Sequence, residues 1–400
     1  MSSLQASFRN HVAWTSDSPL GLEVERAEGA EIVLAGGQRI IDLISGIAVS
    51  SIGHANAEVR RAIHEQVDRH LHVMVYGEFV IRPQAEFAEL LASALPEPLK
   101  VCYFTNSGTE ATEGALKLAR KHTRRTRMVA FDGSYHGDTL GSLSVTGREV
   151  YRKPFEPLVP GVTFLPFNDV EALQEIDDTV ACVIAEPIQG EGGIHVPSDE
   201  WVKALRVRCS AVGALLIFDE IQTGFGRTGS MFAFEQFGVV PDVVTFAKAM
   251  GGGMPLGAFV SSPEVMASLR RDPPLNHVTT FGGHPVSCAA ATAALRVLIR
   301  DELSKRARLI EATVRSRLRH ERIREIRGRG AMLGIELDDS GFAADVVRRC
   351  IDNGVLVGWT LHADSLVRVA PPLTIPETTL NAALDRMLSA LEAATSHSHP

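Results

Sequence analysis

Three short apolar runs in this chain each end in side chains able to do chemistry. Val101-Cys102-Tyr103-Phe104 leads into Thr105-Asn106-Ser107-Gly108-Thr109-Glu110 and then an amphipathic stretch over 111–121. Ser107 followed three residues later by Glu110 has the spacing of a capping box, and the amides and hydroxyls at such a helix start can hold an anion such as a phosphate. A plain helix cap explains the same residues. The run at 214–218 ends in Asp219-Glu220, which delivers carboxylates to a strand end. A buried carboxylate stays ionised only beside a positive partner, and a protonated heterocyclic nitrogen is one. The run at 243–247 ends in Lys248, just before Ala249-Met250-Gly251-Gly252-Gly253. That is the placement of a desolvated amine that forms a Schiff base, although a snorkelling lysine fits too.

A phosphate cradle, an acid and a lysine at three strand ends are together the parts needed to hold pyridoxal phosphate. The aldehyde needs the lysine, the pyridine nitrogen needs the acid, and the phosphate needs the helix start. An aromatic face is the remaining requirement. Tyr135 or His136, in Phe131-Asp132-Gly133-Ser134-Tyr135-His136-Gly137 after another apolar run, can stack on the ring or simply pack in a loop.

These residues must be positioned by regular elements. Apolar runs at 101–104, 128–131, 180–185, 214–218 and 243–247 are mostly separated by helix-length amphipathic segments, which predicts an α/β fold with a mainly parallel sheet between helices. In such sheets ligands sit beyond the carboxyl ends of the strands, where these side chains lie. Residues 1–55 read as an arm and small strands, 56–286 as the large domain, and 287–400 as a smaller α+β domain with one long helical stretch over 289–310.

The 400 residues carry 40 Lys and Arg against 48 Asp and Glu, a net charge of −8, with no basic run interleaved with aromatics. A nucleic-acid partner is therefore not expected. Five cysteines without a CxxC pair predict reduced thiols and a cytoplasmic protein. No window approaches eighteen uninterrupted apolar residues, so no membrane span is expected. His54, His136 and His284 stand singly, and His397 and His399 fall in a tail expected to fray, so no metal site is expected.

Six motifs then appear in order: TNSGTEATEGALKLAR at 105–120, EPIQGEGG at 186–193, DEIQTGFGRTG at 219–229, AKAMGGGMPLGA at 247–258, TTFGGHP at 279–285 and RVAPPLT at 368–374. Over about 20–380 the chain resembles the class III (omega) aminotransferases of the fold-type I pyridoxal-phosphate enzymes, nearest to the putrescine, acetylornithine, ornithine and 4-aminobutyrate members. The resemblance implies a large domain with a seven-stranded type of sheet, and a ping-pong transfer from an omega-amino donor to a 2-keto acid such as 2-oxoglutarate or pyruvate. It makes Lys248 the Schiff-base lysine and proton shuttle, and Asp219 the partner of the pyridinium. Gln222 would lie near the phenolic oxygen, Tyr135 would stack with His136 beside it, and Ser107, Gly108 and Thr109 would hold the phosphate. Thr280 would reach the phosphate of a neighbouring subunit, which implies a homodimer with shared sites. Arg368 would grip a substrate carboxylate, and Glu191 would pair with it whenever the donor offers none.

One position departs from the pattern. Acetylornithine and ornithine members carry an arginine for the donor's far carboxylate where this chain has Asp138. An acid there repels a carboxylate and accepts a cationic or neutral far end, which points to diamine or amino-alcohol-like donors. YRKPFEPLVPG at 151–161 is similar to putrescine-type members, while YHGDT at 135–139 also resembles diaminopelargonate synthases, which usually lack the Glu191 gate. A racemase, aminomutase or decarboxylase of the same fold would share the cofactor residues. A nucleotide-binding protein would leave Lys248 and Asp219 unexplained, and neither Gly-Lys-Ser/Thr nor a helix-opening GxGxxG occurs.

Overall fold

The computed structural model describes residues 3–360 and 363–396; His397 and His399 lie outside them. After a helix at Ser3–His11, three strands, β1 (Val24–Glu28), β2 (Glu31–Leu34) and β3 (Arg39–Asp42), form an antiparallel meander. Gly36 and Gly37, both at positive φ, make the β2–β3 turn.

The central sheet holds β4 (Val101–Thr105), β5 (Arg127–Phe131), β6 (Val162–Leu165), β7 (Val180–Ala185), β8 (Leu215–Asp219), β9 (Val243–Phe246) and β10 (Gly257–Ser261). Their order is β4-β10-β9-β8-β7-β5-β6, parallel from β9 to β6, with β10 antiparallel to both its neighbours. The seven-stranded, mainly parallel sheet is the expected one. Five of its strands correspond to the apolar runs, and β6 and β10 are additional. Every residue of β7, β8 and β9 is buried, as a sheet covered on both faces requires.

The pleat sorts these residues into two cores. Met128, Ala130, Cys182, Ile184, Leu215 and Ile217 pack under the helix Gly108–Thr123. Val129, Phe131, Val183, Leu216, Phe218 and Phe246 face the opposite layer, which includes Trp201 and Leu205 of the helix Asp199–Val212. Gly114 lets Gly108–Thr123 settle on the sheet, since a Cβ there would stand 2.2 Å from the Phe259 ring.

Beyond the sheet, the stretch read as one helix over 289–310 is two, Pro285–Arg300 and Leu303–Arg317. The break falls at Asp301-Glu302, where Glu302 takes a left-handed φ of 48° that a continuous helix does not allow. β11 (Ile323–Arg329), β12 (Met332–Leu337), β13 (Val355–Leu356), β14 (Gly358–Trp359) and β15 (Leu366–Val369) follow. Four of them form a small antiparallel sheet, β11-β12-β15-β14, while β13 pairs in parallel with β3 and joins the two ends of the chain. Among the described residues no helix is long and apolar enough to cross a membrane. His54 is paired with Asp42 at 2.8 Å and His284 caps Pro285–Arg300.

Candidate active site

A cavity of about 490 Å³ opens beyond the carboxyl ends of β4, β5, β7, β8 and β9. Ser107, Gly108, Thr109, Tyr135, His136, Asp138, Asp219, Gln222 and Lys248 all line it, so nine of the residues marked in the sequence converge. Thr280 does not reach it within one chain. Arg368 and Glu191 stand directly behind it, joined to it through Gln222.

The β4 loop forms the predicted Ser107 cap, but the reciprocal bond of Glu110 goes to the residue before the cap rather than to the Ser107 amide of a strict capping box. Ser107 accepts from the Glu110 amide at 3.3 Å, and Glu110 accepts from the Asn106 amide at 2.6 Å, which aims the N-terminus of Gly108–Thr123 at the cavity. The Thr109 hydroxyl is already engaged with Thr139 (2.7 Å) and Ser142 (2.6 Å), a cluster whose carboxylate is Glu113. Close approach shapes this cradle as well. A Cβ on Gly108 would lie 2.8 Å from Ile221, and one on Gly257 would lie 2.2 Å from the Ser107 carbonyl oxygen. Gly257→Ala is therefore expected to displace the Ser107 loop. It should destabilise the fold by about 1–3 kcal/mol and reduce the thermal stabilisation that bound pyridoxal phosphate confers. Melting curves with and without the cofactor measure both effects.

Asp219 ends β8 and is buried. One carboxylate oxygen is 2.7 Å from His136 Nδ1, and the other accepts from the Ile221 amide at 3.0 Å. His136 is also buried, and its Nε2 has no hydrogen-bond partner among the described residues. Glu186, just past β7, accepts from the Tyr135 amide at 3.0 Å and the Gly190 amide at 2.8 Å. Burial pushes its carboxyl up to about 7. Taking the acid from the strand end at 214–218 alone overlooks Glu186, although it follows the apolar run at 180–185 as Asp219 follows its own. Asn106, Val49 and Ile221 also line the cavity and carried no separate signal in the sequence.

Lys248 follows β9 at the start of a short turn, Lys248–Gly251, with a left-handed φ of 48°. For a non-glycine residue that conformation is strained by roughly 1–3 kcal/mol. Desolvation pulls its ammonium below the ordinary lysine value, and Arg368 pulls the same way. Glu191, Asp219 and Glu186 oppose them.

Behind the cavity, Arg368 on β15 donates from Nη2 to Glu191 Oε2 at 2.6 Å, and Gln222 Nε2 donates to Glu191 Oε1 at 3.0 Å. Both ions are almost fully enclosed, with 3% and 7% of their side chains exposed, and Arg368 Nε has no partner among the described residues. At the mouth the Tyr135 hydroxyl donates to Asp138 at 2.8 Å, and burial together with Asp138 raises the phenol above its ordinary value.

The model of one family, the class-III aminotransferases, matches residues 12–391. The chain belongs to that family. This class-III aminotransferase is 43% identical over 372 residues to the acetylornithine aminotransferase of Methanopyrus kandleri, with 92% of this chain and 93% of the relative covered. The ornithine aminotransferase of Toxoplasma gondii superposes with a TM-score of 0.92 at 30% identity, covering 98% of this chain and 95% of that one. A PLP-bound amine transaminase from an uncultivated Pseudomonas species superposes with a TM-score of 0.88 at 28% identity, covering 98% of each chain. The protein is thus a transaminase of fold-type I, and its family implies pyridoxal phosphate. The cavity fits that group. A glycine-shaped helix N-terminus, a buried carboxylate and a desolvated lysine surround one space of suitable size.

Proposed function

We propose that this aminotransferase takes the amino group of an omega-amino donor, such as a diamine, an ornithine-like compound or an omega-amino acid, and passes it to a 2-keto acid by a ping-pong cycle. The observation that carries this reading is the buried Arg368–Glu191 pair beside Lys248. It can close on itself for a donor with no nearby carboxylate, then open for a keto acid.

Pyridoxal phosphate, when bound, supplies an aldehyde that condenses with amines and a ring that draws electrons from the substrate carbon. The chain supplies the rest. Ser107, Gly108 and Thr109 would hold the phosphate at the helix N-terminus, and Asp219, fixed by His136, would keep a proton on the ring nitrogen. Tyr135 and Gln222, which line the same cavity, would hold the ring, Tyr135 by stacking and Gln222 at its phenolic oxygen. Lys248, already inclined to lose its proton, carries protons at the substrate carbon.

A second copy completes the site through Thr280. Supporting this, Leu71, Tyr76, Phe79 and Val80 are exposed beside the equally exposed Val278 and Phe281, an apolar face that a partner would cover.

Asp138 sets the donor. With the Tyr135 hydroxyl bound to it, its carboxylate faces the mouth and favours a cationic far end. Cofactor-loaded enzyme is titrated with putrescine, ornithine, N-acetylornithine and 4-aminobutyrate, following loss of the visible absorbance and its return with pyruvate or 2-oxoglutarate. A cationic donor should react best, and Asp138→Arg should raise kcat/KM for N-acetylornithine about ten-fold or more. Preference of the unaltered enzyme for N-acetylornithine would overturn the donor assignment and leave aminotransfer standing. An absorbance that no donor removes would favour racemase or decarboxylase chemistry instead.

A further inference from the structure

The segment that presents Thr280 is held from two sides, by residues of the aminotransferase motifs and by one residue, His72, that lies outside them. Thr279 anchors one side, where its hydroxyl accepts from the Gly282 amide at 3.0 Å and from Asn106 Nδ2 of the cradle loop at 3.4 Å. On the other side stands His72, 208 positions away in sequence. Its Nε2 lies 2.8 Å from the Thr280 carbonyl oxygen and so donates a proton to it. The same ring packs on Phe281 with centroids 4.9 Å apart and stacks on His284 at 5.8 Å. His284 is fixed in turn, because its Nδ1 accepts from the Val286 amide at 3.3 Å. Thr280 itself is exposed, and its hydroxyl makes no hydrogen bond among the described residues. The backbone is therefore clamped while the side chain stays free to reach outside the chain.

We propose that His72 is a positioning residue that fixes the Thr280 backbone, so that the Thr280 hydroxyl is held ready for the phosphate of the cofactor in a second copy of this chain. This rests on the shared-site reading above. An unclamped segment would have to be ordered each time the cofactor binds, and retention would suffer while the chemistry at Lys248 would not.

The test is the rate at which loaded enzyme loses pyridoxal phosphate on dilution into cofactor-free buffer, measured for Thr280→Ala, His72→Phe, His72→Gln and the Thr280→Ala/His72→Phe double variant. His72→Phe keeps a ring against Phe281 but has no donor, and should release cofactor roughly five-fold faster, the size expected for one lost hydrogen bond. His72→Gln, which keeps an N–H, should restore most of the retention. The double variant should release no faster than Thr280→Ala alone, because His72 acts through Thr280. Turnover of the two single His72 variants at saturating cofactor should not change, because His72 acts on the Thr280 backbone rather than on the reacting groups. If Thr280→Ala has no effect, the shared-site reading fails. If Thr280→Ala accelerates release while His72→Phe does not, or if the two effects simply multiply, His72 does not position Thr280. Sedimentation of each variant provides the remaining check, because faster release that disappears once the dimer is restored by concentration would also overturn the proposal.

Discussion

Replacing Lys248 with alanine is expected to leave a folded protein whose transamination falls by at least about 10³–10⁴-fold, the range that loss of a positioned proton carrier produces. Loss of the amine that holds the cofactor adds to this, so the loaded protein should also lack the visible band of the unaltered enzyme. Folding should not suffer. Lys248 is a strained residue at a φ of 48°, its ammonium is desolvated, and its surroundings hold the acids Glu191, Asp219 and Glu186 against one further cation, Arg368. Alanine keeps the strained φ, so the substitution deletes a desolvated amine but leaves those acids one cation short, two effects of opposite sign. Melting curves measure that balance, and both half-reactions followed by absorbance measure the chemistry. Turnover within ten-fold of the unaltered enzyme would move the catalytic role away from Lys248.

Lys248, Asp219 and Ser107 were legible because each ends an apolar run, and in a parallel sheet every such run ends on the same edge. Sequence order then converts directly into proximity. The strands without that signal were the ones missed. β6 is only Val162–Leu165, and β10 begins at Gly257 and runs antiparallel between β4 and β9, so neither stands in the strand–helix alternation. Arg368 and Glu191 were legible by resemblance alone. They sit 177 positions apart, on β15 of the small sheet and in the loop after β7, and no local pattern reports a contact between two sheets. Glu186 shows the opposite failure, since the strand-end signal was present but a single acid had already filled the expected role. The clamp of His72 on Thr280 is likewise a tertiary contact between two exposed loops with no periodicity to announce it.

The Arg368–Glu191 pair makes the second large prediction, because its two ends should fail in different half-reactions. Arg368→Leu removes the fork that receives a carboxylate. The KM for the keto acid should rise by about 10–100-fold, equivalent to one or two charge-assisted hydrogen bonds, while the half-reaction of a donor lacking a nearby carboxylate is affected much less. Glu191→Gln instead leaves a buried guanidinium without its counter-charge. The keto acid then has no ion pair to break and its KM should fall, whereas a carboxylate-free donor must sit against an uncompensated cation, and its kcat/KM should fall about ten-fold or more. Lys248 shifts as well, with a sign fixed by the same charges. Glu191 raises its pKa and Arg368 lowers it, and the amine must be deprotonated to accept a proton. The acidic limb of the donor half-reaction should therefore move to lower pH in Glu191→Gln and to higher pH in Arg368→Leu. Breaking a buried pair also costs stability, about 3–5 kcal/mol, so melting curves must show that each variant is folded at the assay temperature. Half-reactions that decline equally in both variants, with no opposite movement of the pH limbs, would reduce the pair to a structural tie between β15 and the β7 loop. Opposite effects would mean that one buried contact lets a single pocket admit two differently charged substrates in turn.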